Sequence, residues 1–97
     1  MDPTLLSRLR RWTADGWAVP AAGGGTRADA AAAAVQRLAD LGADAEGRPR
    51  RPVPRLGDTV LADQLAVMLD DVVRTGDPEA LRAAEAEVAA LRAALGY

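Results

Sequence analysis

Four arginines lie within a short, proline-rich stretch of the chain: Arg48, Arg50, Arg51 and Arg55. Guanidinium groups at this density can bind phosphates and other anions, because they displace counterions and donate several hydrogen bonds each. Residues 49–52 also match the loose P-x-x-P pattern of peptides that dock in the grooves of partner proteins. A solvated linker would have the same composition, so the sequence leaves three interpretations of this loop open.

A second basic group lies near the start of the chain, where Arg8 and Arg11 are three residues apart beside Arg10. If this group lay close to the loop, the two would form one positive patch. The possible anion-binding residues are therefore Arg8, Arg11, Arg48, Arg50, Arg51 and Arg55. The net charge of −2 argues against nucleic acid as a partner of the whole chain.

The residue types of most catalytic and metal sites are missing, because the chain has no histidine and no cysteine. The carboxylates Asp70 and Asp71, and likewise Glu85 and Glu87, are too close in sequence to face each other on a helix. We therefore predict no catalytic residue, no cofactor and no metal site, and we expect a protein that is not an enzyme. A small helical enzyme that uses Arg and Glu is the remaining alternative, and it would need an enclosed pocket.

The composition predicts one small domain over residues 1–97. Lysine, asparagine, isoleucine and phenylalanine are absent, which is typical of a GC-rich genome because their codons are AT-rich. No apolar stretch is long enough to span a membrane. The N-terminus lacks the cationic start and apolar stretch of a signal peptide, so we expect a cytoplasmic protein.

Hydrophobic spacing and capping residues predict an all-α fold with four helices, over about residues 3–14, 27–41, 58–75 and 78–95. An Arg/Pro-rich loop over residues 43–56 separates the second helix from the third. The predicted N-caps are Asp2, Thr26 with Asp29 as its capping-box partner, Asp58 and Asp77. The predicted helix ends are Gly16, Gly42 and Gly76.

The last two helices, joined by residues 76–78, should form an antiparallel hairpin with one apolar stripe on each helix. Large apolar side chains are too few elsewhere to cover both stripes, so we expect a homodimer with a bundle of helices at its centre. The predicted interface consists of Leu61, Leu65, Met68, Val72, Leu81, Val88, Leu91 and Leu95. The function expected from this pattern is a small interaction module, accessory or regulatory, with a further protein partner left open.

Overall fold

The computed structural model describes residues 3–97, and this part of the chain contains helices and no β-strand. The all-α class predicted from the sequence is confirmed. The predicted cap Asp2 lies outside the described residues. The α-helices are α1 (Pro3–Arg10), α2 (Ala14–Trp17), α3 (Arg27–Ala45), α4 (Leu61–Thr75) and α5 (Pro78–Leu95), and a 3-10 turn (Asp58–Val60) precedes α4.

The first predicted helix is interrupted, which corrects the span of 3–14. The helix ends at Arg10, and Thr13 takes an extended conformation with φ −84° and ψ 176° before the single turn of α2. This turn contains Gly16, the predicted helix end, and it carries Trp17 to a fully buried position with 0% exposure. The interruption brings the indole rings of Trp12 and Trp17 into edge-to-face contact, with centroids 4.9 Å apart.

Helix α3 begins at the predicted capping box. The Thr26 hydroxyl accepts from the Asp29 N–H, and the Asp29 carboxylate accepts from the Thr26 N–H. The predicted end at Gly42 is wrong, because the helix continues to Ala45. Gly42 is buried on the side of α3 that faces Val72 of α4, and a Cβ at this position would make only an ordinary van der Waals contact with that residue.

Helices α4 and α5 follow the predicted boundaries with one correction. Asp58 begins the 3-10 turn and makes no side-chain cap. Helix α5 begins as predicted, with the Asp77 carboxylate accepting from the Glu79 N–H at 3.1 Å and proline at its first position. Gly76 ends α4 with a φ of +69°, a left-handed conformation that glycine adopts without strain.

Helix α3 lies at the centre of the fold, and both α4 and α5 pack mainly on it rather than on each other. Leu38 and Gly42 of α3 lie beside Met68 and Val72 of α4, so these two helices run in the same direction. Helix α5 runs opposite to α3, because Arg37 pairs with Glu87 while Ala45 lies near Ala80. The larger side chains of the core are Leu5, Leu9, Trp17, Val35, Leu38, Leu61, Leu65, Leu69, Val72, Leu91 and Leu95.

This arrangement corrects the premise behind the predicted interface. The apolar stripes of α4 and α5 are not left without a partner, because α3 covers them within the same chain. Five of the predicted interface residues are buried in this core, with exposures of 3% or less: Leu61, Leu65, Val72, Leu91 and Leu95. Met68, Leu81 and Val88 stay partly exposed at its border. A dimer, if it forms, must therefore use a different surface of these helices.

Candidate functional site

The Arg/Pro-rich loop is an ordered strap (residues 48–56) that runs back along α3 before α4 begins. Its three prolines favour an extended path and remove the backbone N–H groups at Pro49, Pro52 and Pro54, and the last two flank Val53. The Val53 N–H between them donates to the Gln36 side-chain oxygen at 2.8 Å. The Gln36 amide nitrogen in turn donates to the Arg51 carbonyl at 3.0 Å. One glutamine of α3 thus binds the strap in the manner of a neighbouring β-strand.

Ion pairs fix the strap on both sides of Gln36. Arg50 donates two hydrogen bonds to the carboxylate of Asp44, at 2.9 and 2.6 Å, in the fork geometry that favours arginine. Arg48 pairs with Glu46 at 2.8 Å, and Arg55 reaches the opposite end of α3, where it pairs with Asp29 at 3.0 Å. The strap arginines thus serve the fold, since three of the four already bind carboxylates of the same chain.

These contacts also change the acidity of the two aspartates. The hydrogen bond from Arg50 lowers the pKa of Asp44 below its ordinary value. The pKa of Asp29 is lowered first by the hydrogen bond from the Thr26 backbone and then by that from Arg55. Both carboxylates are therefore held in their charged form, which is the form that binds the strap.

A groove of about 280 Å³ lies between the strap, α3 and α4, and we name it the strap groove. Its lining combines small and apolar side chains with the charged side chains of Arg48, Arg51 and Asp71. Arg51 has an exposed side chain and takes part in none of the ion pairs found among residues 3–97, although its carbonyl is bound by Gln36. The lining consists of Leu38, Ala39, Gly42, Ala43, Arg48, Pro49, Arg51, Pro52, Val53, Pro54, Met68 and Asp71.

The two sides of this groove carry opposite charge. Arg48 and Arg51 border it on the strap, and Asp71 borders it on α4. Val67 lies four residues before Asp71, on the same side of the helix, and is 54% exposed. Met68, one of the predicted interface residues, also lines the groove. Of all the surfaces described, this one combines apolar area, shape and unsatisfied charge most clearly.

One positive patch required the two arginine groups to lie close together, and Arg48 and Arg50 do not meet this condition. Helix α1 lies at the start of α4, where Arg10 pairs with Asp63 at 3.2 Å. Arg48 and Arg50, in contrast, bind Glu46 and Asp44 at the far end of α3. Arg8 and Arg11 therefore belong to a separate surface.

That surface contains a stack of aromatic and guanidinium groups that the sequence analysis did not predict. Arg8 lies over the ring of Tyr97 at 4.8 Å, and Arg27 lies over the ring of Trp12 at 4.6 Å. The rings of Trp12 and Tyr97 are 5.8 Å apart and tilted by 31°. The two partners of each of these contacts are distant in sequence, so no local spacing could indicate the stack.

An enzyme based on Arg and Glu would need a pocket lined by both side chains, and a metal site would need a cluster of potential ligands. None of the four surface depressions described for residues 3–97 is lined by both Arg and Glu side chains. The same residues contain no cluster of three or more potential metal ligands. Nor does any helix among them have the length and apolarity needed to cross a membrane.

Comparison with known proteins gives no family assignment. The chain matches no protein-family model, no curated protein sequence and no solved structure. The functional argument therefore rests on the geometry of the strap groove.

Proposed function

We propose that this protein is a small, non-enzymatic helical interaction module that forms a homodimer through the strap groove. The observation that carries the proposal is the opposite charge of the two groove edges, with Arg51 on one and Asp71 on the other. Apolar side chains also line the groove, and the exposed Val67 lies beside it. The proposal keeps the expected dimer and moves its contact surface from the buried stripes to the outer side of α4.

The charge pattern favours a second copy as the occupant. In a two-fold symmetric dimer each contact is made twice, because a residue of one copy meets a different residue of the other copy and the reverse. A surface with a basic edge and an acidic edge is complementary to itself under this symmetry. Arg51 of each copy would then meet Asp71 of the other.

Burial of apolar side chains would supply most of the stabilisation. An exposed ion pair contributes only about 0–1 kcal/mol, so charge alone selects the orientation rather than holding the dimer. Val67 and Met68 would provide apolar contact on α4, and Val53 and the prolines would provide it on the strap. A stable interface buries roughly 1,000 Å² or more, so the contact must extend beyond the groove along α4.

The test is sedimentation velocity over about a hundredfold range of protein concentration, since dimerisation follows mass action. We expect the natural chain to shift from monomer to dimer, and Arg51→Glu and Asp71→Arg each to weaken the dimer. The double variant R51E/D71R should recover it, because the exchanged charges are again complementary. Arg82→Glu, which changes an exposed arginine on α5, is the matched control and should leave the dimer unchanged.

Two results would overturn the proposal. The first is a natural chain that stays monomeric over the whole concentration range. The second is a dimer that the two single charge changes weaken and the double variant does not recover. Circular dichroism of each variant separates a lost interface from a lost fold.

Three other expectations from the sequence concern nucleic-acid binding, a further protein partner and the location of the protein. We do not propose nucleic-acid binding through the strap, because Arg48, Arg50 and Arg55 already pair with carboxylates of the chain. The proposal also includes a further protein partner and a cytoplasmic location.

A further inference from the structure

The outer face of α1, together with Arg11 in the turn directly after the helix, carries four side chains with hydrogen-bond donor groups: Thr4, Ser7, Arg8 and Arg11. Their spacing of three, one and three residues places them on one side of the helix. The opposite side is turned to the core through Leu5 and Leu9. The four border an open depression of about 320 Å³, and no carboxylate of residues 3–97 belongs to its lining. We name this surface the α1 face.

Arg8 is held in place by its aromatic neighbour. Its guanidinium lies over the ring of Tyr97, which is itself packed on Trp12. Stacking occupies the flat face of a guanidinium and leaves the N–H groups at its edge available for hydrogen bonds. Tyr97 is 40% exposed, so the stacked group remains at the surface. A positioned arginine loses less conformational entropy when it binds a ligand than a mobile one does.

The charges of α1 divide according to their partners. Arg10 points to α4 and pairs with Asp63. Among the ion pairs found within residues 3–97, none involves Arg8 or Arg11. Tyr97 and Arg8 also line a second, smaller depression beside this one. The α1 face therefore concentrates positive charge on a chain whose net charge is −2.

We propose that the α1 face binds a phosphate group. A phosphate oxyanion accepts several hydrogen bonds at once, and guanidinium N–H groups together with neighbouring hydroxyls are the donors that suit it. Arg8 and Arg11 would supply the charge, and Ser7, which borders the same depression, would add a hydroxyl donor. This site is separate from the strap groove, so it stands independently of the proposed dimer.

Inorganic pyrophosphate is the probe for the test, added to the isotopically labelled protein at constant ionic strength and followed by NMR. We expect saturable shifts of the backbone amides of Ser7, Arg8 and Arg11. Arg11→Ala should raise the dissociation constant roughly threefold to tenfold, because one charged hydrogen-bond donor is lost. Arg82→Ala, which removes an exposed arginine from α5, should leave the dissociation constant unchanged.

A second variant guards against loss of structure. Arg8→Ala would remove a guanidinium of the site and its contact with Tyr97 together, so it can loosen the fold locally. Arg11→Glu leaves the contact between Arg8 and Tyr97 intact and should abolish saturable binding of pyrophosphate. The proposal is overturned if pyrophosphate causes only linear shifts equal to those of sodium chloride. It is equally overturned if Arg11→Glu binds pyrophosphate as the natural chain does.

Discussion

Arg50 binds both carboxylate oxygens of Asp44, so the strap is tied to the last turns of α3 by a two-pronged ion pair. Arg55 makes the corresponding contact with Asp29 in the first turn of the same helix. The strap is therefore fixed at the two ends of α3 by charge and in the middle by Gln36.

Acid should weaken the folded state. The pKa values of Asp44 and Asp29 lie below their ordinary value of 3.8 in the folded chain, so these carboxylates stabilise the fold above that pH. Their contribution is lost as the pH falls through the lowered pKa values, because the protonated groups no longer attract Arg50 and Arg55. Urea denaturation between pH 7 and pH 2 should show it, with a flatter pH profile for the variant D29N/D44N. An identical profile for the variant would contradict this account.

Mixing two defective variants should restore association. Arg51→Glu alone faces Asp71 of a second copy with like charge, and Asp71→Arg alone faces Arg51 with like charge. In a mixed pair both contacts become complementary, so equal amounts of the two variants should form a heterodimer. Fluorescence energy transfer between differently labelled variants measures it directly. The expected signal exceeds that of either variant with itself, and equal signals in all three samples would count against two-fold pairing.

The two glycines at residues 42 and 76 should respond oppositely to alanine. A Cβ at Gly42 would lie 3.9 Å from Val72 Cγ2, an ordinary van der Waals contact, and Gly42 lies within a helix. Gly42→Ala should therefore raise the free energy of unfolding by about 0.5–1 kcal/mol. Gly76→Ala should lower it by about 1 kcal/mol, since the φ of +69° is unfavourable for alanine. Urea denaturation of both variants gives the comparison, and a destabilised Gly42→Ala would show that α3 and α4 pack more tightly than described.

Gln36 should control the opening of the strap. Its side-chain oxygen accepts from the Val53 N–H, so Gln36→Ala should speed hydrogen exchange at that amide without unfolding the chain. Gln64→Ala is the matched control, because Gln64 contacts the strap only at the Pro54 carbonyl, at 3.2 Å. NMR detects the Val53 amide in each variant. Unchanged exchange in Gln36→Ala would mean that other contacts hold this part of the strap.

Local signals predicted the parts of the fold that depend on neighbouring residues. The predicted start of α5 is confirmed, because Asp77 caps the helix and Pro78 occupies its first position. The predicted end of α4 is confirmed too, because Gly76 adopts a left-handed backbone conformation there. The capping box of α3 was correct for the same reason. In these cases the residues that decide the structure are adjacent in the sequence.

Contacts between distant residues decided what the sequence could not predict. Helix α3 continues through Gly42, which is buried on the side that faces Val72, a residue thirty positions later in the sequence. The break after Arg10 accompanies the meeting of Trp12 with Trp17 and Tyr97. The loop arginines were identified as candidates for binding anions, but their partners Asp44 and Asp29 are set by the path of the strap. Composition indicated the charge of this segment and gave no indication of its pairing.

The central position of α3 has a consequence for the order in which the molecule can form. Helix α3 leaves the ribosome before α4 and α5, the two helices that cover it. Its apolar sides therefore have no lasting partner until almost all of these 97 residues have been synthesised. No half of the chain contains the whole core, so we expect the domain to fold and unfold as one cooperative unit.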